Sequence, residues 1–343
     1  MATTFPRIAA GWRGAVGWYA ETNYGIAPLA TTNPFGASNA SNAYNWVGAV
    51  QNLKASIDKQ PIFVYRMDGS TDFPAYLLKG QRKVDFTITY WPQNIGGLGS
   101  GDGTQGILYD MINSLGLNTV AHSFIVKNYD TGATYTITGC IATTVQINGK
   151  TGQALEVQVV YQGQNLERYL PAGINFNSDP GAPYIPFYFS QESVIFSEDT
   201  SPVAMPQSLT FNATITNNLN QVPQFGTDVL RSIATLTRKA DGTLTATFAD
   251  VDDYPNEANI FPNVQVGATN TPPYSNPTGV DPSESAATGL SQQTIRLVLG
   301  TKGLTTYYLD YTGAVVPKVD LTNPIADLTA VALDWTATGA SVH

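Results

Sequence analysis

At 343 residues, 43% of them hydrophobic, the chain is long enough for two domains and can build a sizeable core. Its net charge of -9 and pI near 4.6, with no basic run, argue against a surface that grips nucleic acid. A single cysteine, Cys140, excludes an intramolecular disulfide and sits in a strand pattern, where a small buried thiol is expected.

Charged residues are only 13% of the chain, about half the usual share for a soluble domain, while Thr, Asn, Gln and Gly abound. Such a surface suits extensive contact with other protein; a secreted β protein with a Thr/Asn-rich surface is the alternative. No run of about twenty apolar residues predicts a membrane span. Arg7 and Arg13 interrupt the start, so no secretion signal is expected.

Residues 1–44 carry Trp12, Trp18, Tyr19, Tyr24, Phe35 and Tyr44, too many large apolar groups for a flexible linker. They predict an arm packed on a neighbouring subunit or on its own domain. A first β domain is expected over 45–163. Within it, 47–53 and 62–65 are short strands. Over 83–91, Val84, Phe86, Ile88 and Tyr90 alternate with Lys83, Asp85, Thr87 and Thr89, the period of a strand with one buried face. After a glycine-rich stretch, Ile107, Leu108, Met111, Ile112 and Leu115 predict the one helix, ended by Gly116. A strand over 124–129 follows.

Residues 138–161 and 312–335 align without a gap at an offset of 174. Thr138-Gly139 falls on Thr312-Gly313, Val145 on Val319, Val157 on Val331 and Tyr161 on Trp335. Each copy reads as two strands and a turn. Earlier anchors, Gly80 with Gly242 and Phe86 with Phe248, give an offset of 162 and place 12 extra residues in the second copy, in the loop 255–291. Ile295 and Leu297 echo Phe124 and Val126. Between the copies, a Pro-rich linker over 164–206 is expected to be docked through its aromatics. The second β domain, 207–343, opens with Leu209, Phe211, Ala213 and Ile215 alternating with threonines and Asn212. Residues 220–240 read as a long connection between strands. Alternation throughout predicts a mainly β, α+β architecture of antiparallel sheets.

Chemistry finds little support. Gly101-Asp102-Gly103-Thr104-Gln105-Gly106 matches G-x-G-x-x-G, but the strand before it stops near Trp91, so no dinucleotide site or other cofactor is expected. Asp250, Asp252, Asp253 and Glu257 lack the spacing of a Ca²⁺ loop, and histidine is limited to His122 and His343, so no metal site is expected. A hydrolase would rest on His122 alone, and no catalytic residue is assigned. The aromatics, at alternating strand positions, fit core packing better than sugar stacking.

A hairpin of long strands, a lone helix, a long inter-strand loop, a charge-poor acidic surface and a tandem duplication together resemble the tail tube proteins of long-tailed bacteriophages. The stretch 328–341, LTAVALDWTATGAS, looks like their last strand, and 239–250, KADGTLTATFAD, like the strand after their long loop. The resemblance spans roughly 46–162 and 207–338 and is one of pattern. It implies two tandem β-sandwich units per chain, each with at most one flanking helix, three chains per pseudo-hexameric ring, and rings stacked into a hollow tube of the virion tail, made in the host cytoplasm. A tape measure protein and a tail terminator are the implied partners, and viral DNA passes through without specific binding. On this reading Asp85, Thr87, Thr89, Gln146, Glu156, Gln158, Thr243, Thr245, Thr247 and Asp320 line the lumen, with Lys83 and Lys318 as unexplained exceptions. Trp12, Trp18, Tyr24, Phe35, Phe225, Leu230 and Ile233 are expected at contacts between rings. A glycan-binding or adhesive module, a baseplate hub and a capsid decoration protein stay open as alternatives.

Overall fold

The computed structural model describes residues 14–26, 45–65, 76–92, 106–113, 120–128, 133–150, 152–169, 186–187, 193–198, 201–205, 208–224, 226–248, 293–302, 305–322 and 329–343. The described fold is mainly β and antiparallel, with one short helix. The first half contains β1 (Gly14–Ala20), β2 (Asn45–Trp46), β3 (Ala49–Asp58), the small hairpin β4 (Ile62–Val64) and β5 (Tyr76–Leu78), and β6 (Lys83–Trp91). Helix α1 (Ile107–Asn113), β7 (His122–Asn128), β8 (Thr134–Lys150), β9 (Glu156–Gly163) and β10 (Asn165–Tyr169) complete it. The second half contains β11 (Ser193–Glu198), β12 (Ser201–Met205), β13 (Ser208–Val222), β14 (Ser232–Phe248), β15 (Gln293–Lys302), β16 (Thr305–Thr322), β17 (Thr329–Ala337) and β18 (Gly339–Val342).

The two halves repeat each other pairing for pairing. In the first, β3-β6-β9-β8 form one sheet, and the start of β8 also pairs with β7 and β10, with β1 beyond β7. In the second, β13-β14-β17-β16 form the matching sheet, and the start of β16 pairs with β15 and β18, with β11 beyond β15. The registers coincide as well. Ile141 faces Gln162 and Thr144 faces Val160; at an offset of 174, Val315 faces Thr336 and Lys318 faces Asp334. Both ladders are bulged between these pairs. Pro317 falls inside the second bulge, a place in a sheet where the missing N–H of proline is tolerated. Bulges also recur in β3 and β13, between Val50 and Asn52 and between Ser208 and Thr210.

β8 and β13 pair with each other, Thr214 beside Gln146 and Thr216 beside Thr144. The two inner sheets therefore merge into one of eight strands, β3-β6-β9-β8-β13-β14-β17-β16. One face of it is apolar: Val84, Phe86, Ile88, Val157, Val159 and Tyr161 in the first half are fully buried. Phe86 stacks on Tyr161 at 5.6 Å, and Phe124 packs against both at 4.7 and 4.9 Å. In the second half Trp335 stacks on Phe211 at 5.9 Å and meets Tyr311 at 4.7 Å.

Several sequence expectations are corrected. The pair Phe86–Tyr161 corresponds to Gly242–Trp335, so β6 and β14 are offset by 156, not 162. At 156, Lys83, Asp85, Thr87 and Thr89 fall on Lys239, Asp241, Thr243 and Thr245, whereas at 162 the two threonines fall on Ala249 and Val251, so the sequence itself favours the offset that the ladder shows. Gly14–Ala20, expected in a separate arm, pairs along the whole of β7. The ends of the expected linker are strands, β10 on β8 and β11-β12 on β15. Its described middle is docked as expected: Phe187 is buried, donates its backbone N–H to Pro92 O and accepts from Leu155 N. Residues 220–240 are mostly strand, since β13 and β14 leave only 223–231 between them. Leu115 and Gly116, the expected helix end, lie outside the described residues.

At Gly242 the larger indole takes the space that a phenylalanine fills in the first half. A Cβ there would collide with the Asn212 carbonyl and the Trp335 indole. Gly242→Ala is expected to cost about 1–3 kcal/mol through overpacking, read as a lower thermal midpoint of the whole chain.

Candidate functional site

The other face of the eight-stranded sheet is polar and is the candidate site. The register sets Glu156 beside Asn148, then Asn212, Thr243, Asp334 and Lys318. One row over, Thr89 lies beside Gln158, then Gln146, Thr214 and Asp241. Asp85 and Thr87 continue β6 beside Ser56 and Lys54, and Thr245 and Thr247 continue β14 beside Ala332 and Ala330. Asp320 follows beside Ala332. All ten residues expected at the lumen thus share one face of one sheet. Thr243 and Asp320 are exposed, most others described are half-buried, and Thr89 is nearly closed off. Gln158 Nε2 donates to Thr89 Oγ1 at 3.4 Å and Asn212 Nδ2 to Thr243 Oγ1 at 3.3 Å, so amides and hydroxyls bond across strands.

Lys83 finds its place here. Its Nζ lies 3.2 Å from Asp85 Oδ2, and the repeat reproduces the pair as Lys239 to Asp241 at 3.3 Å. Both pairs are exposed and add little stability, but each neutralises a cation on this face. Lys318 stands in register beside Asp334. The register also brings Lys54, Lys150, Lys239 and Asp58 to this face, which sequence reading missed. Only the merger of two sheets through β8 and β13 puts these residues on a common surface, and strand alternation does not encode that merger. No arginine occupies the described positions of this face.

The residues expected at ring contacts divide differently. Trp18, Leu230 and Ile233 are buried inside the chain, and Tyr24 is half-buried against Leu230 and Ile233. They are apolar because they close the chain's own core. Trp12, Phe35 and Phe225 lie outside the described residues. Exposed large apolar groups gather instead on the β4–β5 hairpin: Ile62, Phe63, Tyr65, Tyr76, Leu77 and Leu78.

Other polar nodes are structural. His122 is sealed from solvent, its Nε2 2.7 Å from Asp110 Oδ2 of α1 and its ring against Trp18. From the second half, Arg238 donates to the α1 carbonyls of Ile112 (2.9 Å) and Met111 (3.3 Å) and to Asn217 (2.7 Å). The helix is thereby clamped to both halves. Arg296 makes a two-pronged pair with Asp310 at 2.6 and 2.7 Å beneath the Tyr308 ring. Glu21 is buried and accepts from Gly25 N (2.6 Å), Gly139 N (2.7 Å) and the Ser123 hydroxyl.

Among the described residues no cluster of His, Cys, Asp or Glu is placed to hold a metal ion, and no helix is long and apolar enough to cross a membrane. The acidic run at Asp250–Glu257 and the loop 101–105 lie outside the described residues. No protein-family model matches the sequence, and no curated protein matches it either.

Glu21→Ala leaves three donors without their acceptor and is expected to lower stability by about 1–3 kcal/mol, measured by denaturant unfolding. Burial, reinforced by the Glu21 carboxylate, pushes the Cys140 thiol well up from its ordinary value, so it is protonated at neutral pH. A thiol-reactive dye is expected to leave Cys140 unlabelled in the folded chain and to label it once the chain is unfolded.

Proposed function

We propose that this chain is a self-assembling structural subunit, a tail tube protein whose rings stack into the hollow conduit of a viral tail. The observation that carries the reading is the fusion of two register-matched repeats into one eight-stranded sheet with a continuous, charge-balanced polar face.

A sheet with two open edges invites further pairing unless it is covered or closed. Closure into a barrel removes the edges, and large barrels leave an aqueous interior. Three chains of eight strands supply 24 in all. The apolar face already packs on each half's outer strands, so the polar face is the one left to line an interior. Hydroxyls and amides predominate there, and the ion pairs of Lys83 and Lys239 leave DNA phosphates few cations to hold, because tight binding needs uncompensated Lys and Arg. The low overall charge fits a surface largely covered by other copies. Tape measure and terminator proteins are the partners this role implies, and the virion tail is its place.

Purified full-length chain, concentrated in physiological salt, is expected to form rings or hollow tubes in negative-stain micrographs. A chain that stays monomeric at every concentration tested, or that forms only solid fibres, overturns the reading.

A further inference from the structure

The internal repetition leaves one junction unused. β8 pairs with β13 inside the chain, but their counterparts β16 and β3 do not pair with each other. Among the described pairings, residues 318–322 of β16 pair only with β17, and β3 pairs only with β6.

We infer that β16 of one copy receives β3 of a second copy, in the register of the β8–β13 junction. Ser56 occupies the place of Thr214, since each faces an equivalent aspartate, Asp85 or Asp241. Asp320 occupies the place of Gln146, at the same offset of 174 that relates the rest of these strands. Thr214 lies beside Gln146 and Thr216 beside Thr144 within the chain. The image of that register sets Ser56 beside Asp320, Ile57 beside Val319 and Asp58 beside Lys318. Lys318 then stands between two acids, Asp334 of its own β17 and Asp58 of the second copy. A shift by one residue would turn the second copy's apolar positions to the polar face; a shift by two sets Asp58 against Asp320 in one direction and in the other takes Asp58 off Lys318, leaving Ser56 there.

The exposed hairpin supports the same junction independently. Past Thr216 and Lys239, β13 and β14 extend over the first half, where Leu230 and Ile233 are buried against Ala121 and Ile141. Gln164 Nε2 donates to Leu230 O at 2.7 Å across that contact. The counterpart of this extension is the segment 59–82, which carries β4 and β5. Phe63 and Leu77 there are 54% and 65% exposed, against 1% and 6% for Leu230 and Ile233. A two-stranded hairpin with that much apolar surface is marginal alone. The repeat places it over the second half of the copy that receives β3, so one contact satisfies both the open edge and the apolar hairpin.

This inference rests on the self-assembly reading, and the test separates the two. Full-length chain carrying Ser56→Cys and Asp320→Cys is allowed to assemble, oxidised mildly and run on non-reducing gels; Cys140 is buried and does not compete. Opposed residues of an antiparallel pair lie within disulfide reach, so covalent multimers are expected. The same-face control Ser56→Cys with Lys318→Cys is out of register and should give several-fold less. Asp58→Lys alone should weaken assembly about tenfold, and adding Lys318→Asp together with Asp334→Lys, which reverses the whole triplet, should restore it. Leu77→Ser should weaken assembly while leaving the free chain's thermal midpoint unchanged. Assemblies in which the control pair links as well as the in-register pair overturn the junction and leave self-assembly standing. A parent chain that never associates overturns both.

Discussion

Each half of the molecule depends on one strand doing the work of two. β8 and β16 run 17 and 18 residues, pairing first in an outer sheet and then in the shared inner sheet. A flat strand cannot serve two sheets that face each other across a core; it must bend and twist, which bulges permit. The bend falls at Gly139 and Gly313, whose φ values of +64° and +58° lie in the left-handed region. A side chain at Gly139 would also run into Gln164 and Tyr24. Glycine is required there twice over, for conformation and for space. The Gly139 N–H, lost to the ladder at the bend, goes to the buried carboxylate of Glu21. Without this bend the aromatic clusters around Tyr161 and Trp335 would have no second wall.

The two halves show what such a frame tolerates. Pairing registers and bulges recur, and so do the ion pairs Lys83–Asp85 and Lys239–Asp241. Core side chains do not. Phenylalanine against tyrosine in one half becomes glycine against tryptophan in the other, with Phe211 stacked on the indole. Volume is redistributed across the pair while backbone geometry stays the same, as expected when topology, more than any single contact, defines the fold.

The mainly β class, the offset of 174 and the echo of Phe124 and Val126 in Ile295 and Leu297 were all legible in the sequence, because period-2 alternation survives substitution so long as one face stays apolar. Strand lengths and edges were less legible. Residues 220–240 alternate weakly, since Arg238 there points at the α1 carbonyls, as its strand partner Asn217 points at Ala142 O, and polar residues on the inward face hide a strand. Trp18 and Leu230 looked like contact residues because aromatic and apolar groups outside a periodic pattern carry no label for what they touch. The polar face was legible residue by residue. Its continuity was not, since it depends on β13 finding β8, a pairing between segments some sixty residues apart that no local pattern announces.

The contrast between the β8–β13 junction and the one inferred between copies has a physical origin. Inside the chain, β8 meets β13 through neutral pairs, Thr216 with Thr144 and Thr214 with Gln146. The connection between the halves, with Phe187 anchored between Pro92 and Leu155, already restricts where β13 can land. The image of that junction between copies has no covalent tether, and there the same positions carry Asp58 and Lys318. Uncharged antiparallel edges of threonine and asparagine slip easily, because every two-residue shift offers an equivalent ladder. Opposite charges at one position make the shifted ladders unequal, and like charges brought together by a slip are penalised. A neutral seam suffices where the chain sets the register; a charged one is needed where only recognition can.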